Sequence, residues 1–203
     1  RPYFDRYPKD QMPVVQGIEE DQKDVPAAAL MSRHKVQDEM TDDLRRQAVQ
    51  AYFASATFMD AQVGKVMAAL DRLGLAENTV VVFASDHGYH LGEHGLWQKL
   101  SLFEGSARVP LLVVAPGISK PGGVSKAPVG LIDVYPTLAE LCGVKPPANL
   151  QGQSLVPMLR NPEEAGRGWA LSQITQSNKG IVRRNGYSLR TPRWRYTEWG
   201  DNG

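Results

Sequence analysis

Apolar side chains recur at a helical spacing in the stretch that follows Thr41. From Leu44 to Leu73 they fall three or four positions apart, which is the period of an amphipathic α-helix. Thr41 is a favourable N-cap, and the two aspartates after it suit the positive end of the helix dipole. Gly74 is a typical C-terminal stop. The pattern therefore predicts one long helix between these two signals.

Two continuous apolar runs come later, at Thr79–Ser85 and Val109–Ala115. Runs of β-branched residues without alternation are typical of strands buried on both faces of a parallel α/β sheet. A short helix is predicted from Leu131 to Cys142, with Asp133 as its N-cap and Gly143 as its stop. These elements predict the α/β class.

The two ends of the chain show different patterns. Residues 1–37 are rich in Pro, Asp and Gln and have no period, so we expect a long surface loop with a turn of helix near Phe4–Tyr7. Near the other end, Gly186–Arg190 and Trp194–Trp199 alternate and flank the turn residues Thr191–Arg193. We predict an antiparallel hairpin there.

Composition narrows the function classes. With 42% hydrophobic and 22% charged residues, the 203-residue chain has the make-up of a globular protein. A net charge of +1 gives no bulk attraction to nucleic acid or a membrane surface, and neither is expected as a partner. A single cysteine, Cys142, excludes an internal disulfide and is interpreted as a small buried apolar residue. The chain begins without Met and ends directly after a predicted strand, so we expect a piece of a longer protein.

Chemistry-bearing residues concentrate between positions 85 and 99, where a predicted strand has just ended. Three of the four histidines lie here, at His87, His90 and His94, together with Asp86 and Lys99. Ligand sites of open α/β sheets form at such strand ends. Three glycines disfavour a helix across this loop, so the four-residue spacing of His90 and His94 does not predict a helical zinc site.

Each candidate residue also has a simpler interpretation. Asp86 alone is a common turn or cap residue, but with His87 beside it we favour a ligand for Ca²⁺ or Mg²⁺. Lys99 is a surface charge in the simplest interpretation, or else a point charge that pairs with an anionic substrate.

The run Ser85–Gly88 with Leu91–Lys99 resembles the second metal-binding segment of the sulfatases. The resemblance is strongest to the iduronate-2-sulfatase and choline-sulfatase-like branch. Other segments resemble the family in the same order: Arg1–Phe4, Gln50–Ser55, Ser101–Glu104, Arg108–Leu111, Asp133–Leu138, Gln151–Leu155 and Gly186–Arg190.

The resemblance implies part of an alkaline-phosphatase-like α/β sandwich of sheet and helices. Residues 1–155 would belong to the catalytic domain, and residues 156–203 would begin a small C-terminal antiparallel β subdomain. It further implies Ca²⁺, in preference to Mg²⁺, held by Asp86 and His87 together with aspartates from the first half of the fold. Lys99 would contact the sulfate, and His94 is a secondary candidate for the same site.

One departure from the family is large. Sulfatases use a formylglycine made from Cys or Ser in a Cys/Ser-x-Pro/Ala-x-Arg motif, which this sequence does not contain. Cys142 stands in Cys-Gly-Val-Lys-Pro and does not match it. The formylglycine is therefore expected in a missing N-terminal half, and the isolated chain is expected to be inactive.

The resemblance implies Ca²⁺-dependent removal of sulfate from a sulfated carbohydrate, such as a 2-sulfo-iduronate unit. It also implies export to the periplasm, the extracellular space or a lysosome-like compartment. Two alternatives stay open: a phosphodiesterase or phosphonate hydrolase of the same superfamily, and a truncated, non-catalytic module that binds sulfated glycans.

Overall fold

The computed structural model describes residues 2–178 and 182–200. Its helices and strands in these ranges are α1 (Ile18–Asp21), α2 (Lys35–Asp38), α3 (Asp42–Arg72), β1 (Val81–Ala84), α4 (Glu104–Ala107), β2 (Leu111–Val114), α5 (Val134–Leu141), α6 (Val156–Arg160), β3 (Ala170–Asn178), β4 (Val182–Arg190) and β5 (Arg195–Gly200). Single turns of 3-10 helix lie at Phe4–Arg6, Lys9–Gln11, Gln22–Asp24, Ala27–Leu30, Ala76–Asn78, Glu93–Gly95 and Leu131–Asp133.

The chain forms two compact units that alternate along the sequence. The first consists of Arg1–Glu77 with Gly88–Ser106, and the second of Asn78–His87 with Ala107–Gly203. The segment after β1 therefore belongs to the first unit, whereas both strands of the β1–β2 pair belong to the second. The domain boundary predicted after residue 155 lies inside the second unit and stays a prediction.

The long helix predicted after Thr41 is confirmed as α3. The Thr41 hydroxyl accepts a hydrogen bond from the Leu44 amide at 3.2 Å, and Gly74 adopts a left-handed φ of 66° just past the end. Its 31 residues rise about 47 Å at the usual 1.5 Å per residue. Within residues 2–178 and 182–200, no helix combines the length and the apolar character that crossing a bilayer requires.

The N-terminal segment lies along α3. A helical turn is present at Phe4–Arg6, as predicted, and the Tyr7 hydroxyl is 2.6 Å from the Thr57 hydroxyl. The Gln50 side-chain amide donates to the Tyr7 carbonyl at 2.7 Å. Further short helices follow, so this segment is more ordered than the loop that its composition predicted. The reason is long-range contact, which local sequence does not reveal: the first two turns contact α3, and α1 contacts the turn Glu93–Gly95.

The prediction of two parallel, fully buried strands is wrong. β1 and β2 pair antiparallel, with Val81 opposite Val114 and Ala84 opposite Leu111. A parallel pair needs a crossover, usually a helix packed over the sheet, and the 26 intervening residues contain only single helical turns. Leu112 and Val114 are also half exposed rather than buried.

Helix α5 is present where a short helix was predicted, but the role of Asp133 differs. Its side chain makes no capping bond to α5, and instead it is buried with 1% of its surface exposed. Cys142 follows the helix and is exposed, so its interpretation as a buried apolar residue is wrong. The last turn of the helix leaves this position open to solvent.

The hairpin predicted at the end of the chain is confirmed as β4 and β5, with Arg190 opposite Arg195. Strand β3, where no strand was predicted, pairs antiparallel with β4 and completes a three-stranded sheet in the order β3-β4-β5. On one face of this sheet, Ser188 is fully buried and its hydroxyl contacts Arg195 and Thr197 at 2.9 Å each.

Candidate functional site

The turn after β1 fixes the backbone of the two predicted metal ligands. The Ser85 amide donates to the Pro110 carbonyl at 3.3 Å, and the Ser85 hydroxyl donates to the His87 carbonyl at 2.6 Å. The His87 amide donates to Asp86 Oδ1 at 3.1 Å. The strand end therefore holds the carboxylate and the imidazole side by side, and their role as metal ligands stays a prediction.

Their side-chain geometry suits part of a cation site. His87 Nε2 lies 3.6 Å from Asp86 Oδ2, and the Asp86 side chain is 87% exposed. Two ligands at 2.3–2.6 Å from one Ca²⁺ lie about 3–4 Å apart when they are neighbours in its shell. The pair supplies at most two of the six to eight oxygen ligands that Ca²⁺ takes, and the imidazole adds one nitrogen donor. Within residues 2–178 and 182–200, no group of three or more His, Cys, Asp or Glu side chains forms a metal site. Asp86 and His87 thus fit a partial shell.

The loop that follows closes on itself in the first unit. The Gly88 amide donates to the Ser106 carbonyl at 2.8 Å, and a Cβ added at Gly88 would lie 2.0 Å from the Gly105 carbonyl oxygen. Only a residue without a side chain allows the two backbones to approach this closely. We call residues 88–106 the ring segment, because its two ends meet at this point.

Hydrogen bonds inside the ring segment replace regular secondary structure. The His90 amide donates to the Gln98 carbonyl at 3.1 Å, and the Gly92 amide donates to the Leu96 carbonyl at 2.9 Å. Leu96, Trp97 and Leu102 are buried within the unit. The segment thus has a small apolar core of its own. As predicted, no long helix crosses it: its helical parts are the turn Glu93–Gly95 and the start of α4.

His90 is fully buried in the ring segment. Its Nε2 lies 2.7 Å from the Ser101 hydroxyl, whereas its Nδ1 is buried without a hydrogen-bond partner among the described residues. Burial lowers the pKa of His90 below its ordinary value, and His94 lowers it further, against the raising effect of the Glu93 carboxylate. His90 is therefore a neutral structural histidine that joins two parts of the ring segment.

His94, the secondary candidate for sulfate contact, is fixed by residues far away in sequence. Its Nδ1 lies 2.9 Å from Asp21 Oδ2, and its ring stacks on Phe103 with centroids 3.9 Å apart. The Gln22 side chain also donates to the His94 carbonyl at 2.7 Å. These partners are separated from His94 by up to 73 positions, so no local sequence signal could have indicated them. The Asp21 carboxylate orients the ring with Nε2 on its opposite edge.

Lys99 lies on the exposed side of the ring segment. Leu100 beside it has a left-handed φ of 66° and is 57% exposed, which turns the chain sharply at this point. Lys99 thus presents an ammonium group near a tight bend, whereas Trp97 is buried two positions earlier. Asp86 and His87 belong to the second unit, and Lys99 and His94 to the first.

Comparisons with known proteins identify the family. The family model for sulfatases matches residues 1–144, and a model for the C-terminal part of N-sulphoglucosamine sulphohydrolase matches residues 92–201. Arylsulfatase K of Danio rerio is 39% identical over 154 residues, which cover 74% of this chain and 29% of that protein. Choline-sulfatase of Rhizobium meliloti is 40% identical over 157 residues, covering 74% of this chain and 30% of that protein. The chain therefore spans less than a third of the length of these relatives.

Solved structures agree with this assignment. BT4656, in complex with its substrate D-glucosamine-2-N,6-O-disulfate, is 27% identical with a TM-score of 0.69, covering 83% of this chain and 36% of that one. The phosphonate monoester hydrolase of Agrobacterium radiobacter is 24% identical with a TM-score of 0.83. The match covers 98% of this chain and 45% of that one, and it shows the same fold. The expected fold is confirmed: an alkaline-phosphatase-like α/β arrangement followed by a C-terminal antiparallel sheet. The sulfatase model covers well over half of the sequence, and the chain belongs to the sulfatase family.

Proposed function

We propose that the protein containing this chain is a Ca²⁺-dependent sulfuric ester hydrolase that removes sulfate from a sulfated sugar, such as a 2-sulfo-iduronate unit. The observation that carries the proposal is the Asp86–His87 pair at the end of β1, in a chain of the sulfatase family. The named substrate of BT4656, a disulfated glucosamine, supports a sugar as the alcohol part of the ester.

Asp86 and His87 would hold the cation, and further ligands would come from residues outside this chain. A bound Ca²⁺ neutralises sulfate charge and lowers the pKa of a nearby nucleophile. The Asp86 carboxylate contributes the hard anionic oxygen that Ca²⁺ prefers, and its exposure leaves it accessible to a cation. The hydrogen bond from the His87 amide to Asp86 Oδ1 fixes the orientation of that carboxylate before binding.

Lys99 would bind a sulfate oxygen and stabilise the negative charge that develops on it in the transition state. Its ammonium group is a compact point charge with three hydrogen-bond donors, which can pair with a sulfate oxygen. The formylglycine nucleophile would come from outside these 203 residues. We therefore expect the isolated chain to bind Ca²⁺ weakly and to release no sulfate. By the same family resemblance we infer that the protein is exported.

The test measures sulfate release by the product of the complete gene. The substrates are a 2-O-sulfated uronate disaccharide, an aryl sulfate and a phosphonate monoester, each with added Ca²⁺ and after chelation. We expect Ca²⁺-dependent turnover of the sulfates, lower by at least about 100-fold in Asp86→Asn, because losing even an outer-shell partner of a metal ligand costs about 10–100-fold. The exposed carboxylate of Asp71 provides the matched control, since Asp71→Asn removes the same charge from α3.

The Lys99 assignment has its own variants. Lys99→Ala should lower kcat, and Lys99→Arg should restore part of it, because the positive charge returns with a different shape. Lys126→Ala removes an exposed lysine elsewhere and should change nothing. Turnover that survives chelation and Asp86→Asn would contradict the ligand assignment, and turnover of the phosphonate alone would contradict the reaction.

A further inference from the structure

Two residues with an unfavourable backbone conformation lie on either side of Lys99. Of the residues that the structure describes, two other than glycine have a left-handed φ: His94 at 56° and Leu100 at 66°. Residues with a Cβ adopt this region rarely, and they stay in it only where their surroundings hold them. Such residues cluster at functional sites. We call residues 94–100 the lysine arc, because Lys99 lies within it.

The Gln22 side chain holds the first residue of the lysine arc by its backbone. Its Nε2 donates to the His94 carbonyl at 2.7 Å, and its Oε1 accepts from Arg33 Nη1 at 3.0 Å. Because a guanidinium group only donates, the oxygen of the Gln22 amide faces Arg33 and the nitrogen faces the carbonyl. Arg33 is fixed in turn by Asp38, whose Oδ1 accepts from Arg33 Nε at 2.7 Å. The Gln22 amide is therefore held in the orientation that the His94 carbonyl needs.

Asp21 holds the side chain of the same residue. Its Oδ2 accepts from His94 Nδ1 at 2.9 Å, since a carboxylate has no hydrogen to donate. The next residue, Gly95, also has a left-handed φ, and a Cβ added there would lie 2.7 Å from Gln22 Nε2 and 3.0 Å from Ile18 Cγ2. Contacts to the ring, to the carbonyl and to the following residue thus account for the unusual backbone at His94.

A second contact lies directly beside Lys99. The Gln98 side-chain amide donates to the Ser32 carbonyl, which belongs to the same N-terminal stretch as Asp21 and Gln22. Between the two contacts, Leu96 and Trp97 are buried. The path of the chain from position 94 to 98 is therefore fixed at both ends and in the middle, and all of these residues belong to the first unit.

We propose that Gln22 and Asp21 are positioning residues for Lys99: by holding His94 they fix the lysine arc and so the place from which the ammonium group reaches a sulfate oxygen. A charge stabilises a transition state without reorganisation only if it is in place beforehand. The lysine stem is flexible, so the backbone beneath it has to be fixed. This inference deepens the proposed function and rests on its assignment of Lys99 to the sulfate.

The test is a double-mutant cycle on kcat in the complete gene product, with whichever of the sulfates and the phosphonate it hydrolyses. Gln22→Glu keeps the oxygen that faces Arg33 but loses the donor to the His94 carbonyl. We expect kcat to fall about tenfold with KM nearly unchanged, because a misplacement of about 1 Å can cost about 100-fold. In a Lys99→Ala background the same substitution should lower kcat less than about twofold, since the group that it positions is already absent. A purely structural role would lower kcat equally in both backgrounds.

Asp21 supplies a conservative variant. Asp21→Asn keeps an oxygen for His94 Nδ1 and should retain most of the kcat, whereas Asp21→Ala should lose about as much as Gln22→Glu. The matched control is Gln16→Glu, which makes the same chemical change on an exposed side chain whose amide donates to the Val14 carbonyl. It should leave kcat unchanged.

An unchanged kcat in Gln22→Glu, or an equal fall in both backgrounds, would overturn the proposal. Circular dichroism checks that each variant folds, and the Asp21 variants enter the same cycle if Gln22→Glu does not. Amide hydrogen exchange in the lysine arc should become faster in Gln22→Glu but not in Gln16→Glu, and unchanged exchange in Gln22→Glu would refute the hold itself, with or without turnover. Hydrolysis of the phosphonate alone would refute the proposed sulfatase function, while the cycle on that ester would still decide the positioning.

Discussion

Removing the Asp133 carboxylate should destabilise the second unit more than any surface substitution. One oxygen, Oδ1, accepts from Arg167 Nη2 at 2.6 Å and from the Gln153 amide at 2.9 Å, while Oδ2 accepts from the Gly130 amide at 2.8 Å. The Asp133 and Arg167 side chains are only 2% and 15% exposed. One buried carboxylate thus joins three segments that are distant in sequence.

The size of the effect follows from these contacts. Truncating one partner of a buried ion pair costs about 3–5 kcal/mol, because the remaining charge stays buried. Each backbone amide left without an acceptor adds about 1–3 kcal/mol, less whatever water can restore. These terms together come to at least about 5 kcal/mol, so we expect Asp133→Ala to lower the free energy of unfolding by about 5 kcal/mol or more, which corresponds to a Tm lower by at least roughly 10–20 °C. Arg167→Met keeps both amide bonds but leaves the Asp133 carboxylate buried and unpaired, so it should cost only the ion-pair part, about 3–5 kcal/mol.

Urea unfolding followed by circular dichroism measures these differences, and Asp71→Asn on the exposed side of α3 is the control. A loss below about 1 kcal/mol in Asp133→Ala would show that water replaces the carboxylate and would refute the reasoning. Equal losses in Asp133→Ala and Arg167→Met would show that the ion pair dominates and that the two amide bonds contribute little.

Two further predictions concern the ring segment. In Gly105→Ala the new Cβ would lie 2.9 Å from the buried His90 ring, so we expect the free energy of unfolding, measured by thermal unfolding, to fall by about 1–3 kcal/mol. In the control Gly64→Ala, in α3, the new Cβ meets nothing within 4 Å, and the free energy of unfolding should rise by up to about 1 kcal/mol. A loss of stability in Gly64→Ala would contradict the steric explanation. Because burial lowers the pKa of His90 below 6.5, the unfolded chain binds the extra proton first. The stability that neutral His90 contributes is therefore complete above about pH 6.5 and is lost as the pH falls through the folded pKa. His90→Gln should flatten the dependence of urea unfolding on pH below about pH 6.5, and an unchanged slope would exclude His90 as its source.

The sequence predicted correctly those elements whose ends are set by interactions between residues close together in the chain. The cap at Thr41 and the stop at Gly74 bound α3 in the structure as in the sequence, because both act through hydrogen bonds within one turn. The β4–β5 hairpin was likewise predicted from its alternation and its turn residues. The adjacency of Asp86 and His87 needed no long-range information, since they are neighbours at a strand end.

Partners that are distant in sequence were not predictable. An apolar run indicates a strand but not its neighbour, and so β1 and β2 were expected to be parallel and are antiparallel. Asp133 has the sequence context of a helix cap, yet its side chain binds Gln153 and Arg167, which lie 20 and 34 positions away. His94 depends in the same way on Asp21.

The closure of the ring segment at Gly88 and Gly105 makes its two ends intolerant of substitution, whereas its exposed side can accept insertions. At the crossing point a single methyl group would collide with the opposite backbone, so neither length nor side chain can vary there. On the exposed side near Leu100, a few extra residues only enlarge a loop whose ends are already joined. Lengthening this 19-residue loop by about five residues costs only about 0.2 kcal/mol of closure entropy. Evolution could therefore remodel the reach of Lys99 by insertions on this side while the crossing point stays unaltered.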